Sequence, residues 1–122
     1  MFVLDENEEK KSTFIRKVHF QEPHGKAFKS WEFDAEFLVI DQAELDEIFD
    51  NEEDLNPDDT LLRKVLIGWG DSVVDTNKKP IKFDAAIRDK LIQKIWARVP
   101  LVKKYIDTVA GGKAGKRKRG NS

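Results

Sequence analysis

The chain of 122 residues has room for one domain with one modest core, and its lack of cysteine excludes disulfide scaffolds and thiolate metal sites. Hydrophobic residues make up 39% and charged residues 37%, which excludes a fully disordered chain, and no apolar run approaches the ~20 residues that span a bilayer. The net charge of −1 hides a division: residues 1–60 carry 18 Asp/Glu against 6 Lys/Arg, whereas residues 61–122 carry 5 against 16. Such asymmetry steers partners of either sign, or pairs the halves within one fold or in a head-to-tail oligomer. The plain alternative is one acidic and one basic solvated face. The N-terminus turns acidic at Asp5 and lacks the basic region and apolar stretch of a signal peptide, so a cytoplasmic protein is expected.

The first dozen residues, with Glu6, Glu8, Glu9, Lys10 and Lys11, show no periodicity and are expected to fray. From Phe14 a period of two appears, with Phe14, Arg16, Val18 and Phe20 on one side. After the turn-forming stretch Gln21–Lys26 it resumes, with Trp31, Phe33, Ala35, Phe37 and Val39 alternating with Glu32, Asp34, Glu36 and Leu38. Aromatic and β-branched residues on one face, with charges on the other, predict two half-buried strands forming a β-hairpin. A lone hairpin is marginal in water, so its apolar face needs helices or another chain.

The remainder predicts helices. Asp41 caps a short helix through Asp50, with Leu45, Ile48 and Phe49 on one side. A polar loop over 51–59 contains Pro57. Asp58 or Asp59 then caps a second helix, where Leu61, Leu62, Val65, Leu66 and Trp69 recur at helical spacing until Gly68 and Gly70 end it. Residues 71–83 form a long connection with a turn near Thr76-Asn77. Asp84 caps a third helix bearing Ile87, Leu91, Ile95 and Val99, and Pro100 breaks it or opens the next. A fourth short helix carries Val102, Tyr105, Ile106 and Val109, closed by Gly111-Gly112. The expected fold class is α+β: an N-terminal β-hairpin packed on about four short α-helices in a single domain over residues 1–112. A disordered basic tail over 113–122 follows.

Catalytic residues are not signalled. His19 and His24 lack further ligands at metal-site spacing, so no metal centre is expected. None of the serines sits in a Gly-x-Ser-x-Gly elbow. Gly68-Trp69-Gly70 follows a helical pattern rather than a strand, which argues against a dinucleotide loop. The carboxylates of 41–59 lack the register and central glycine of a calcium loop. No enzyme activity and no cofactor are therefore expected. Lys116, Arg117, Lys118 and Arg119 would attract phosphate or an acidic protein surface, but without aromatics they do not support base stacking.

Several segments together resemble a known family. They are Phe2-Val3-Leu4-Asp5, the hairpin ending Trp31-Glu-Phe-Asp-Ala-Glu-Phe37, and a short acidic helix. Then come Leu61-Leu-Arg-Lys-Val-Leu-Ile-Gly-Trp69, Val73-Val74-Asp75, Pro80-Ile-Lys-Phe83-Asp84, a Tyr105-containing helix and a basic tail. Over nearly its full length the chain is similar to the tail assembly chaperones of long-tailed bacteriophages. The resemblance implies a non-enzymatic binding protein of the host bacterial cytoplasm, absent from the mature virion. It would engage the tape measure protein and recruit major tail tube subunits, with self-association as a further expectation. The family often makes a longer product by ribosomal frameshifting, and Gly112-Lys113 and Gly115-Lys116 are compatible with a slippery codon pair.

The residues also suggest a surface. A hairpin with an aromatic face and a few short helices carries more apolar area than a chain of this size readily hides, and an exposed patch would be a partner site. Trp31, Phe33 and Phe37, with Trp69, are expected to form or border it, and ordinary core packing is the competing account of each. Two other functions stand against the chaperone: a small phage nucleic-acid-associated regulator using the basic C-terminal half, and a structural virion subunit.

Overall fold

Alternating apolar residues in the first half build a hairpin of two twelve-residue strands, β1 (Thr13–His24) and β2 (Ala27–Leu38), paired antiparallel from Thr13↔Leu38 to His24↔Ala27. The computed structural model describes residues 1–4 and 11–111. The expectations of fraying over 5–10 and of a disordered tail over 113–122, with Lys116, Arg117, Lys118 and Arg119, lie outside the described residues. The strands run further into the predicted loop than its composition implies, leaving only Gly25-Lys26 as the turn. Gly25 has φ +61°, the sign a two-residue hairpin turn needs at its first position. Pro23 is tolerated because the pair Pro23↔Phe28 lies next to the closing pair His24↔Ala27. It is therefore a non-hydrogen-bonded position whose missing N–H faces away from β2.

Among the described residues four helices follow: α1 (Gln42–Phe49), α2 (Pro57–Val65), α3 (Ala85–Ile92) and α4 (Ile95–Val109). A three-residue strand, β3 (Leu66–Gly68), completes an antiparallel sheet in the order β1-β2-β3. The fold is α+β, as the pattern predicted. Asp41 and Asp84 are the N-caps of α1 and α3, their carboxylates accepting from Glu44 N–H (3.0 Å) and Ala86 N–H (2.8 Å). Asn56, with Pro57 opening the first turn, replaces the Asp58 or Asp59 cap expected for α2.

Two helix boundaries differ from the sequence pattern. The second helix ends at Val65 instead of reaching Trp69, because Leu66 pairs with Phe37 and Gly68 with Glu36 on β2. Leu61, Leu62, Val65, Leu66 and Trp69 are all buried nonetheless, so sheet pairing satisfies the apolar series as well as a continued helix would. The second difference lies in the expected break at Pro100, which occurs at Gln93–Lys94, while α4 runs through the proline. Proline inside a helix costs about 3 kcal/mol. Burial of Leu101 and Tyr105, at about 1.5–3 kcal/mol for each large side chain, offsets that cost. The break also rephases the helix. Ile92, Ala97, Leu101 and Tyr105 face the core, whereas Ile87, Ile95 and Val99 of the predicted stripe stay 37%, 65% and 53% exposed.

The core lies on one face of the sheet, where α4 crosses β1 and α2 packs between α4 and α1. Two residues fasten its parts. Tyr105 Oη donates to Leu38 C=O (2.8 Å) and accepts from Ile40 N–H (3.1 Å), tying α4 to the end of β2. Trp69 Nε1–H donates to Ile81 C=O (2.8 Å) and its ring meets Phe83 edge-on at 4.7 Å, holding the 71–83 connection against the core. That connection turns back through Asp75–Lys78, close to the predicted Thr76-Asn77 turn, with a bridge between Val74 and Pro80.

Candidate polypeptide-binding groove

The hairpin outgrows the layer that covers it. Because β3 pairs only with Glu36 and Phe37, the outer edge of β2 loses its strand neighbour at Asp34. Ser72 takes over there, its Oγ accepting from Asp34 N–H at 3.0 Å. Beyond it the core-facing row continues toward the turn with decreasing cover: Phe37 is fully buried, Phe33 is 8% exposed and Trp31 is 51% exposed. Trp31 pairs with Phe20 across the hairpin. Its indole N–H donates to Glu22 Oε1 at 2.9 Å, which fixes the ring's direction while leaving its apolar surface free.

The space in front of Trp31 is a groove of about 350 Å3. Phe20 and Phe33, stacked at 5.0 Å, contribute one side, and Trp96 meets Phe20 edge-on at 6.4 Å. Val73, Val74 and Leu91 also line it, with Glu22, Glu32 and Lys94 as charged lining residues. The volume lies in the range of apolar ligand sites. Among the described residues no secondary-structure element fills it, because the chain reaches it from three places: the distal hairpin, the 71–83 connection and the α3–α4 junction.

The sequence-derived surface is therefore corrected for two of its four residues, Phe37 and Trp69, which neither form nor border the groove. Phe33, Phe37 and Trp69 belong to the core: Phe37 packs on Phe14 (5.4 Å) and Tyr105 (5.3 Å), and Trp69 on Phe33 (6.2 Å) and Phe83. Strand alternation places Trp31, Phe33 and Phe37 on one face, but only the position of the helices decides which of them is covered. Trp31 forms part of the groove as expected, and Phe33, though buried, borders it. Val74, Lys94 and Trp96 were missed. Nothing in a linear pattern brings a connection and a helix junction to the same place, although aromatic content at Trp96 was visible.

Charge elsewhere is distributed in small pairs. On the outer sheet face Lys17 Nζ lies 3.0 Å from Glu32 Oε2. This contact holds the Glu32 carboxyl below and the Lys17 ammonium above its ordinary value. Glu44 is held below the usual carboxylate range by hydrogen bonds from Lys11 and Lys64, the latter at 2.8 Å. Asp59 pairs with Arg63 at 2.6 Å. The pairs Glu44–Lys64 and Asp59–Arg63 join the acidic and basic halves of the chain within one fold, one of the outcomes its charge division allowed. A second hollow on the outer face gathers Asp34, Glu36 and Asp71 beside Ile15. Among the described residues no group of three or more His, Cys, Asp or Glu side chains is arranged to hold a metal ion. None of their helices is long and apolar enough to cross a membrane. Comparison with known protein families, curated proteins and solved structures finds no match to this chain.

Proposed function

We propose that this chain is a tail assembly chaperone of a long-tailed bacteriophage, acting by binding rather than by catalysis. The observation that carries the reading is the groove at Trp31: an open, aromatic-lined site of about 350 Å3 on a small α+β domain. Such a site suits an apolar polypeptide segment. Two segments of the resemblance line it, through Trp31 and Phe33 and through Val73 and Val74. Leu61–Trp69 supplies the second half of α2, β3 and the tryptophan that anchors the 71–83 connection beside the groove. The client would be an apolar stretch of the tape measure protein, held until tail tube subunits arrive. The chaperone would act in the host cytoplasm and be left out of the mature virion.

Co-expression tests the reading directly. The tape measure protein of the same phage should co-purify with the wild-type chain. It should be lost with Trp31→Ser combined with Val74→Asp, while the helical circular dichroism stays intact. Absence of the tape measure protein from the wild-type purification would sink it, as would unchanged retention by the double variant.

A further inference from the structure

The same molecule carries a second unpartnered apolar feature. Met1, Phe2, Val3 and Leu4 are consecutive, have no regular secondary structure and are 121%, 85%, 82% and 72% exposed. Four apolar residues in a row left in water favour any surface that removes them from it. In the sequence they are followed by Asp5, Glu6, Glu8 and Glu9.

The groove complements this segment in both respects. Its lining is mainly aromatic and aliphatic, and its volume accommodates a few apolar side chains. Lys94 lines it and forms no ion pair among the described residues. The other charged lining residues are engaged elsewhere: Glu22 accepts from the Trp31 indole, and Glu32 pairs with Lys17 on the outer sheet face. Lys94 is the lining group that the acidic continuation of an apolar tetrapeptide in the groove would meet favourably.

Chain length decides whose segment it is. With Phe2 beside Trp31, nine residue steps separate it from Lys11, about 32 Å at full extension. Phe20, the cross-strand partner of Trp31, lies nine residues from Lys11, seven of them along β1 from Thr13 and the ladder extended by Val39 N–H to Ser12 C=O, about 30 Å at ~3.3 Å per residue. Occupancy within one chain therefore demands a straight, fully stretched tether. A second copy imposes no such demand.

We infer that the Met1–Leu4 segment of one copy docks in the Trp31 groove of another. The contact is heterologous, segment to groove, so it links copies reciprocally in a pair or successively in a chain. This rests on the groove being a polypeptide site, as proposed above, and makes the second copy a competitor of any client.

Sedimentation of the full chain over a range of concentrations, without any client, tests it. The wild-type chain should self-associate. Phe2→Ser combined with Leu4→Ser should weaken association by roughly ten- to a hundredfold, as expected for withdrawing large buried side chains. Trp31→Ser combined with Val74→Asp should do the same, and Val74→Asp alone serves should Trp31→Ser disturb folding. Lys94→Glu should weaken association several-fold and remove part of its salt dependence. The decisive sample is a mixture of the segment variant with the groove variant. Each alone stays monomeric, while together they retain one intact segment and one intact groove and form a one-to-one heterodimer. A monomeric wild type, variants that associate as the wild type does, or a mixture without heterodimer would each overturn the inference. Self-association without tape measure binding would instead overturn only the tail chaperone reading.

Discussion

Replacing Tyr105 by phenylalanine isolates one hydroxyl on which the joint between α4 and the end of β2 depends. The Tyr105 side chain is fully buried, and its ring packs against Phe37 at 5.3 Å and Phe14 at 5.8 Å; phenylalanine keeps both contacts. What disappears is the donor to Leu38 C=O and the acceptor for Ile40 N–H, leaving both backbone groups without those partners. An orphaned buried polar group costs about 1–3 kcal/mol, so the variant should lose about 2 kcal/mol. For a domain of this size that is a fall in Tm of roughly 8–12 °C. Urea unfolding followed by tryptophan fluorescence should show a lower midpoint with an unchanged slope. The alkaline limb supplies an independent readout. Burial holds the phenol above its ordinary value of 10.0. As pH rises past that value the unfolded chain ionises Tyr105 first and binds fewer protons than the native state. The tyrosine's contribution is thus complete below pH 10 and declines above it. The phenylalanine of the variant has nothing to ionise, so this part of the alkaline loss should vanish. A loss below about 0.5 kcal/mol, within the range of ordinary surface substitutions, would refute the reasoning. So would an alkaline slope identical to the wild type.

Four further outcomes are expected. Gly25→Ala should destabilise by about 1–2 kcal/mol although a methyl group there meets nothing within 4 Å, because φ is +61°. Gly68→Ala should stay within about 0.5 kcal/mol, since its close contact, 2.8 Å, is with the tip of the flexible Glu36 side chain; chemical denaturation of the pair compares the two causes. Asp84→Ala should cost about 1 kcal/mol by removing the acceptor for Ala86 N–H and Ile87 N–H, read as a lower thermal midpoint. Trp31→Ser should cost less than about 1 kcal/mol despite deleting the largest side chain type, because that ring is half in water; a cooperative loss of helical signal would return Trp31 to the core.

Local patterns determined much of this protein. Period-two alternation from Phe14 and again from Trp31 specified the hairpin, because one face of each strand had to leave water. Asp41 and Asp84 marked two helix starts, since their carboxylates satisfy N–H groups that a helix cannot. Gly25 marked the turn through its tolerance of positive φ. Tertiary structure decided the rest. Leu66–Gly68 became a strand because β2 offered backbone partners, while the same apolar series reads equally well as helix. The stripe Ile87, Leu91, Ile95 and Val99 gave way to Ile92, Ala97, Leu101 and Tyr105 because the break at Lys94 rotated α4 onto β1. Of the aromatics on one strand face, Phe33 and Phe37 were covered and Trp31 was left at the groove. Alternation determines the side on which a residue points, but the reach of the neighbouring elements determines whether anything meets it there.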